Sequence, residues 1–228
     1  MSILKNTSKK PNIFVVGDFI LDQYFWTEVT RISPEAPVPI CDIKETTHCL
    51  GGAGNVANNL SVFGANVVVS GLIGMDENAK LMTQNLSQAG INTDLMVQSK
   101  DFTTISKIRV LAKGQQLCRL DHEMKNQHVS FNENKWVKEF EQYKKTFDCI
   151  VISDYNKGMV TKALVKTLVD FANQHNIPII VDPKGDDITK YKGVSVITPN
   201  MNEFSELTHT KKFNNESDTF AISLILIP

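Results

Sequence analysis

The sequence predicts an α/β fold with a mainly parallel sheet flanked by helices and a small antiparallel β flap. Three observations predict it. Five short runs are apolar nearly throughout, as strands covered on both faces are. Stretches of helical periodicity separate them, and strand–helix alternation builds parallel sheets. Two further segments alternate apolar and polar residues, as strands with one wet face do.

The runs come in order along the chain. IFVVGD (13–18) reads as a buried strand ending in a carboxylate, and NVVVSGLIG (66–74) as a second. CIVISD (149–154), IPIIVD (177–182) and VSVITPN (194–200) follow. Helices are expected over 54–63, 77–89 (closed by Gly90), 134–145 and 161–175. In the last of these, Leu164, Val165, Leu168, Phe171 and Ala172 form a stripe at helical spacing. The alternating segments are VPICDIKE (38–45) and 104–123. The second reads as two strands joined at Lys113 and Gly114. A flap over an open α/β sheet suits an enzyme that must exclude water.

Bulk properties narrow the function. The 228 residues are 42% hydrophobic with a formal net charge of -1, so no global basic field favours nucleic acid. The four cysteines form no C-x-x-C pair, which argues against zinc or thioredoxin chemistry and suits reduced thiols in the cytoplasm. The lysine-rich start, and the interruption of the first apolar run by Asp18, argue against a signal peptide. FAISLILIP at the end is far shorter than the ~20 residues a membrane helix needs.

In open α/β sheets ligands sit at the carboxyl ends of the strands. Those ends carry Asp18, Asp154, Asp182 and Asn200 here, and four polar residues on one edge point to a polar ligand. Asp18 and Asp22 in GDFILD (17–22) suit the hydroxyls of a sugar, which donate hydrogen bonds to carboxylates; the plainer reading is that Asp22 caps or faces solvent. Gly52, Gly54 and Ala57 match G-x-G-x-x-A, the dinucleotide fingerprint, but KETTHC before them is polar and not a core strand. The alternative is a sharp glycine turn that exposes backbone N–H groups and Asn55 at a helix start.

Lys107 and Arg109 share one face of a strand, where they either hold a phosphate or guard a wet edge. SDYNKG (153–158) and DPKG (182–185) each place a lysine, Lys157 and Lys184, after a buried strand. Asn200 and Glu203 stand three apart at a strand-to-helix junction. They either bind Mg²⁺ through waters or form a capping box.

Taken in order, GDFILD, GGAGNVANN, the flap, SDYNKG, DPKG and TPNMNE resemble the ribokinase-type (PfkB) carbohydrate kinases. RISPEAPVPI (31–40), TISKIRVLAKGQQLCRLD (104–121) and SDYNKGMVT (153–161) are most similar to the D-glycero-β-D-manno-heptose 7-phosphate kinases. The likeness runs from about Ile13 to Phe204. It implies ATP- and Mg²⁺-dependent phosphorylation of the anomeric hydroxyl of heptose 7-phosphate, on the route to ADP-heptose and lipopolysaccharide. It implies that Asp18, Asp22, Gly51, Gly52, Asn55 and Asp154 line the sugar site. Lys107, Arg109 and Lys157 are the candidates for its phosphate. Lys184, Asn200, Met201, Asn202 and Glu203 are implied at the ATP phosphates, with Glu203 at the metal. Homodimers through the flap strands are implied too.

One departure stands out. The family carries a late G-A-G-D motif whose Asp is the general base, and no such motif occurs in these residues. The expectation is one incomplete kinase domain over 1–228, with a divergent tail over 205–228 and impaired catalysis.

Overall fold

The computed structural model describes residues 9–123, 132–142 and 147–208. The polar start before residue 9, the end of the helix expected over 134–145 and the tail from 209, FAISLILIP included, lie outside the described residues. The first half of the chain contains β1 (Asn12–Gly17), β2 (Phe19–Ile32), β3 (Pro39–Gly52), α1 (Ala53–Val62), β4 (Asn66–Ser70), β5 (Leu72–Ile73), α2 (Glu77–Gln88) and β6 (Val97–Gln98). After these come β7 (Ser106–Ala112), β8 (Gln115–His122), α3 (Glu133–Gln142) and β9 (Cys149–Ser153). Then follow α4 (Lys162–His175), β10 (Ile179–Asp182), a 3-10 turn (Ile188–Tyr191), β11 (Val196–Ile197) and α5 (Met201–Thr208).

The main sheet has the order β11-β10-β9-β1-β4, and every pairing in it is parallel. Its strands are apolar on both faces because both faces are covered. In β1, Phe14 and Val16 enter a core with α3 and α4, while Val15 enters a second core with α1 and α2. Phe14 stacks on Phe140 and Phe147 with ring centroids 5.2 and 5.1 Å away, and such pairs add to plain area burial. The stripe on α4 is buried at Leu164, Val165, Leu168 and Ala172. Thr161 caps the start of that helix, and Asn176 ends it in the left-handed conformation.

The flap is a four-stranded sheet of order β3-β2-β7-β8. Lys113 and Gly114 both have positive φ, 49° and 79°, so the β7–β8 turn is of the tight mirror-image kind. The flap is larger than the alternating pattern suggests. FILDQYFWTEVTRI (19–32), which shows no clean alternation, is a fourteen-residue strand, and β3 runs on from the expected 38–45 to Gly52. KETTHC is therefore a strand after all, but one of the flap and not of the core sheet. Two other expectations also change. The run 66–74 divides between the main sheet and the separate β5–β6 pair, and the last strand shrinks to Val196 and Ile197. Among the described residues, no helix is long and apolar enough to cross a membrane.

Candidate functional site

The flap is joined to the main sheet where β1 turns into β2 and where β3 enters α1. At the joint the Ala53 N–H donates to the Asp18 carbonyl, 3.0 Å, and the Asp18 N–H donates to the Ser153 carbonyl, 3.1 Å. Gly52 sits at φ 55°, and a Cβ there would lie 2.4 Å from the Asp18 carbonyl oxygen. This position therefore needs glycine on both conformational and steric grounds. No side chain caps α1, and Asn55 in its first turn is exposed.

Asp18 is 3% exposed, and its carboxylate is engaged from within. The N–H groups of Tyr155 and Lys157 donate to Oδ2 at 2.8 and 3.0 Å, and that of Met159 donates to Oδ1 at 3.2 Å. Burial raises its pKa, the Tyr155 N–H opposes the rise, and the charge of Asp154 adds to it. Asp18 thus anchors the loop after β9. Asp22, four residues on, lies on β2.

Asp154 is engaged from within as well. Its side chain is fully buried and ion-paired with Lys190. The Tyr191 hydroxyl donates to Oδ2 at 2.7 Å, and the Asn156 N–H donates to Oδ1 at 2.7 Å. With those partners it serves as an internal brace between the loops that follow β9 and β10.

The flap supplies what the sheet edge does not. Register places Asp22 beside Lys107, and Tyr24 beside Arg109, on one face of β2 and β7. Arg109 is ion-paired with Asp22 and lies 5.3 Å over the Tyr24 ring. Its guanidinium pKa is raised by the Asp22 hydrogen bond. Gly51 makes room for the carboxylate, since a Cβ there would sit 2.4 Å from Asp22 Oδ2. Lys107 is half-buried and makes no ion pair among the described residues. Across β7–β8, Arg119 stands opposite Arg109 and pairs with Asp121 at 2.7 Å. Sequence pattern alone does not single out Arg119, because its alignment with Arg109 depends on the strand register. Lys157 reaches up to Glu123 at 2.7 Å, tying the loop after β9 to the end of the flap.

At the junction of β11 and α5, Asn200 and Glu203 form the capping box. The N–H groups of Asn202 and Glu203 donate to Asn200 Oδ1 at 3.0 and 3.1 Å, and the Asn200 N–H donates to Glu203 Oε2 at 3.0 Å. Glu203 Oε1 accepts from Lys184 Nζ at 3.0 Å, and that bond raises the lysine pKa. Met201 and Asn202 are exposed on the first turn of α5.

Asp182 stands at the carboxyl end of β10. Its half-buried side chain makes no hydrogen bond or ion pair among the described residues. Burial and then the Glu203 charge raise its pKa, while Lys184 opposes the rise. Tyr155 follows Asp154 in the loop after β9. Burial raises its phenol pKa, and the charges of Asp182, Glu203 and Asp22 add to the rise. Among the described residues, no three His, Cys, Asp or Glu side chains are grouped to hold a metal.

The comparisons follow this geometry. The model of the pfkB family of carbohydrate kinases matches residues 10–224. The bifunctional protein HldE of Geobacter sulfurreducens is 42% identical over 192 residues, which is 84% of this chain and 39% of that protein. HldE of Sulfurimonas denitrificans is 41% identical over 212 residues, or 91% of this chain and 43% of that one. The chain thus spans about two fifths of the length of the curated relatives it matches. Among solved structures, Escherichia coli phosphofructokinase-2 in complex with fructose-6-phosphate matches with a TM-score of 0.70 at 18% identity, covering 95% of this chain and 69% of that one. Arabidopsis thaliana ribokinase complexed with ribose and ATP matches with a TM-score of 0.67 at 18% identity, covering 96% and 70%. At that identity the structures speak for a ribokinase-like fold alone.

Proposed function

Because this chain belongs to the pfkB family of carbohydrate kinases, we propose that it is the sugar-phosphate-binding part of a heptose 7-phosphate kinase. In that reaction the anomeric oxygen of D-glycero-β-D-manno-heptose 7-phosphate attacks the γ-phosphorus of ATP. The bond to ADP breaks, the hydroxyl proton passes to a base, and heptose 1,7-bisphosphate leaves. One observation carries the reading: Asp22, Lys107 and Arg109 stand together on one face of β2 and β7 in the flap. A carboxylate for hydroxyls beside cations for a phosphate matches a phosphorylated sugar. Gly51, Gly52 and Asn55 would complete the sugar side, and Lys157 the phosphate side.

The ATP end rests on the donor set. Lys184 offers a cation, and Asp182 offers a half-buried carboxylate whose side chain makes no bond among the described residues. Two carboxylates without a full cage suit Mg²⁺, which keeps several of its waters. Asp182 and Glu203 would hold the ion through waters, and Lys184 would meet the phosphates. Bound there, Mg²⁺ neutralises charge on the transferring phosphoryl group.

A second reading concerns these 228 residues by themselves. On this reading the 228-residue chain by itself grips the sugar phosphate without turning it over. Calorimetry with heptose 7-phosphate and with unphosphorylated heptose tests the grip. Binding that depends on the phosphate supports it, and equal or absent binding overturns it. ADP release with sugar, ATP and Mg²⁺ then separates the readings: turnover supports the kinase, and binding without turnover the binder.

The raised Asp182 pKa gives a pH prediction. A protonated carboxyl attracts no cation, and Asp182 keeps its proton above the ordinary value of about 3.9. Mg²⁺ affinity therefore rises with pH through that raised value and then levels off. Asp182→Asn abolishes the rise in a calorimetric titration, and a pH-independent wild-type affinity rejects the contact. The four free thiols fit a cytoplasmic protein. Exposed Trp26, Ile43, Leu117 and Leu120 on the flap fit a homodimer through its strands.

A further inference from the structure

We propose that Tyr191 is a positioning residue for Lys184, holding the lysine backbone where its amine would meet a polyphosphate. The inference rests on the reading above, in which Lys184 meets the phosphates of ATP.

Lys184 belongs to the connection between β10 and the 3-10 turn, a stretch with little secondary structure of its own. Its N–H donates to the Tyr191 hydroxyl oxygen at 3.1 Å. The same hydroxyl lies 2.7 Å from Asp154 Oδ2 and 3.1 Å from the Lys184 carbonyl oxygen. A phenol has one proton, and a carboxylate is the stronger acceptor. The chain of donation is therefore Lys184 N–H to Tyr191 O–H to Asp154.

Each member of this chain is fixed from behind. Tyr191 is 1% exposed and its ring is part of the main core. Asp154 is buried and is also held by Lys190 and by the Asn156 N–H. The lysine side chain has a separate partner, Glu203, which is locked in the capping box of α5. A polyphosphate would compete with Glu203 for the amine, because both are anions seeking one cation. It would leave the backbone clamp untouched. The clamp therefore orients the lysine in the bound state, where the Glu203 contact is shared or lost. The loop after β9 is fastened to the same Asp154, so one buried carboxylate sets the loops after both strands.

Tyr191→Phe keeps the ring and deletes the hydroxyl. Calorimetry with Mg²⁺ and inorganic tripolyphosphate reads the phosphate end, and heptose 7-phosphate reads the sugar end. Loss of a hydrogen bond within a charged network corresponds to about a tenfold change in affinity. Tripolyphosphate binding is expected to weaken about tenfold while sugar-phosphate binding is unchanged. Hydrogen exchange at the Lys184 amide should accelerate at least about tenfold, since its acceptor among the described residues is removed. In a Lys184→Ala background the Tyr191→Phe change should have no further effect on tripolyphosphate.

Faster exchange with unchanged tripolyphosphate affinity would leave Tyr191 a core residue and overturn the proposal. So would equal weakening of both ligands, or additivity with Lys184→Ala. If Lys184→Ala itself changes nothing, it is the reading of Lys184 that fails. If Lys184→Ala weakens binding and Tyr191→Phe does not, the clamp alone fails. Wild-type exchange is a check independent of any variant, because an unprotected Lys184 amide refutes the clamp directly.

Discussion

Asp18→Ala destabilises the fold by about 3–5 kcal/mol and frees the loop after β9. The figure follows from three buried N–H groups, those of Tyr155, Lys157 and Met159, losing their acceptor together. A buried donor left unsatisfied costs roughly 1–3 kcal/mol, and the sum is reduced where water enters the vacated space. The urea midpoint should fall with little change in slope, because the surface exposed on unfolding is nearly the same. Amide exchange at 155–159 should rise more than exchange in β4, at the far edge of the sheet. An unchanged midpoint with unchanged exchange would show that the loop stands without Asp18. Asp18→Asn adds a test by pH. The folded-state pKa is raised, so the proton is held more tightly folded than unfolded. The contribution to stability is then fully present below the ordinary carboxylate value and is lost as pH rises through the folded one. Asp18→Asn removes that part of the pH dependence, because its amide does not titrate.

Asp18 shows where reading from sequence reaches and where it stops. A carboxylate just past the first buried strand is visible in the string, and the sheet edge it marks is real. Whether it faces a ligand or a neighbouring loop depends on residues 137 or more positions away. No local pattern carries that information. The partners of Asp154 are equally hidden from the string, since Lys190 and Tyr191 reach it from another loop. The parallel sheet was legible because burial on both faces leaves continuous apolar runs. The capping box at Asn200 was legible because its chemistry is confined to four residues. β2 was not, since one end lies in the core and the other in solvent. Its burial shifts along the strand instead of alternating cleanly. Arg119 and the Asp22–Arg109 pair needed a register, which composition and period do not give.

Lys107→Met lowers affinity for the phosphorylated sugar roughly 10- to 100-fold and leaves affinity for the unphosphorylated sugar unchanged. The argument is one of charge balance on the flap face. Arg109 is already neutralised by Asp22, and Arg119 by Asp121. Lys107 lies beside Asp22 and opposite Asp121 without an ion pair among the described residues, so it can take a phosphate at no cost to an existing bond. A charge-assisted bond of this kind is worth about 1.5–3 kcal/mol, which spans the stated range. Methionine keeps much of the apolar stem, so packing against β2 should survive and the melting temperature should move little. Asp22→Asn is the informative partner. It removes the carboxylate offered to sugar hydroxyls and releases Arg109 to the phosphate. Affinity for the unphosphorylated sugar should fall, while that for the phosphorylated sugar falls less. The phosphate contribution, taken as the ratio of the two affinities, therefore grows in Asp22→Asn and shrinks in Lys107→Met. Calorimetry on both variants with both sugars measures that ratio. A ratio that stays constant across the set would place the phosphate away from the flap and remove Lys107 and Arg109 from the site.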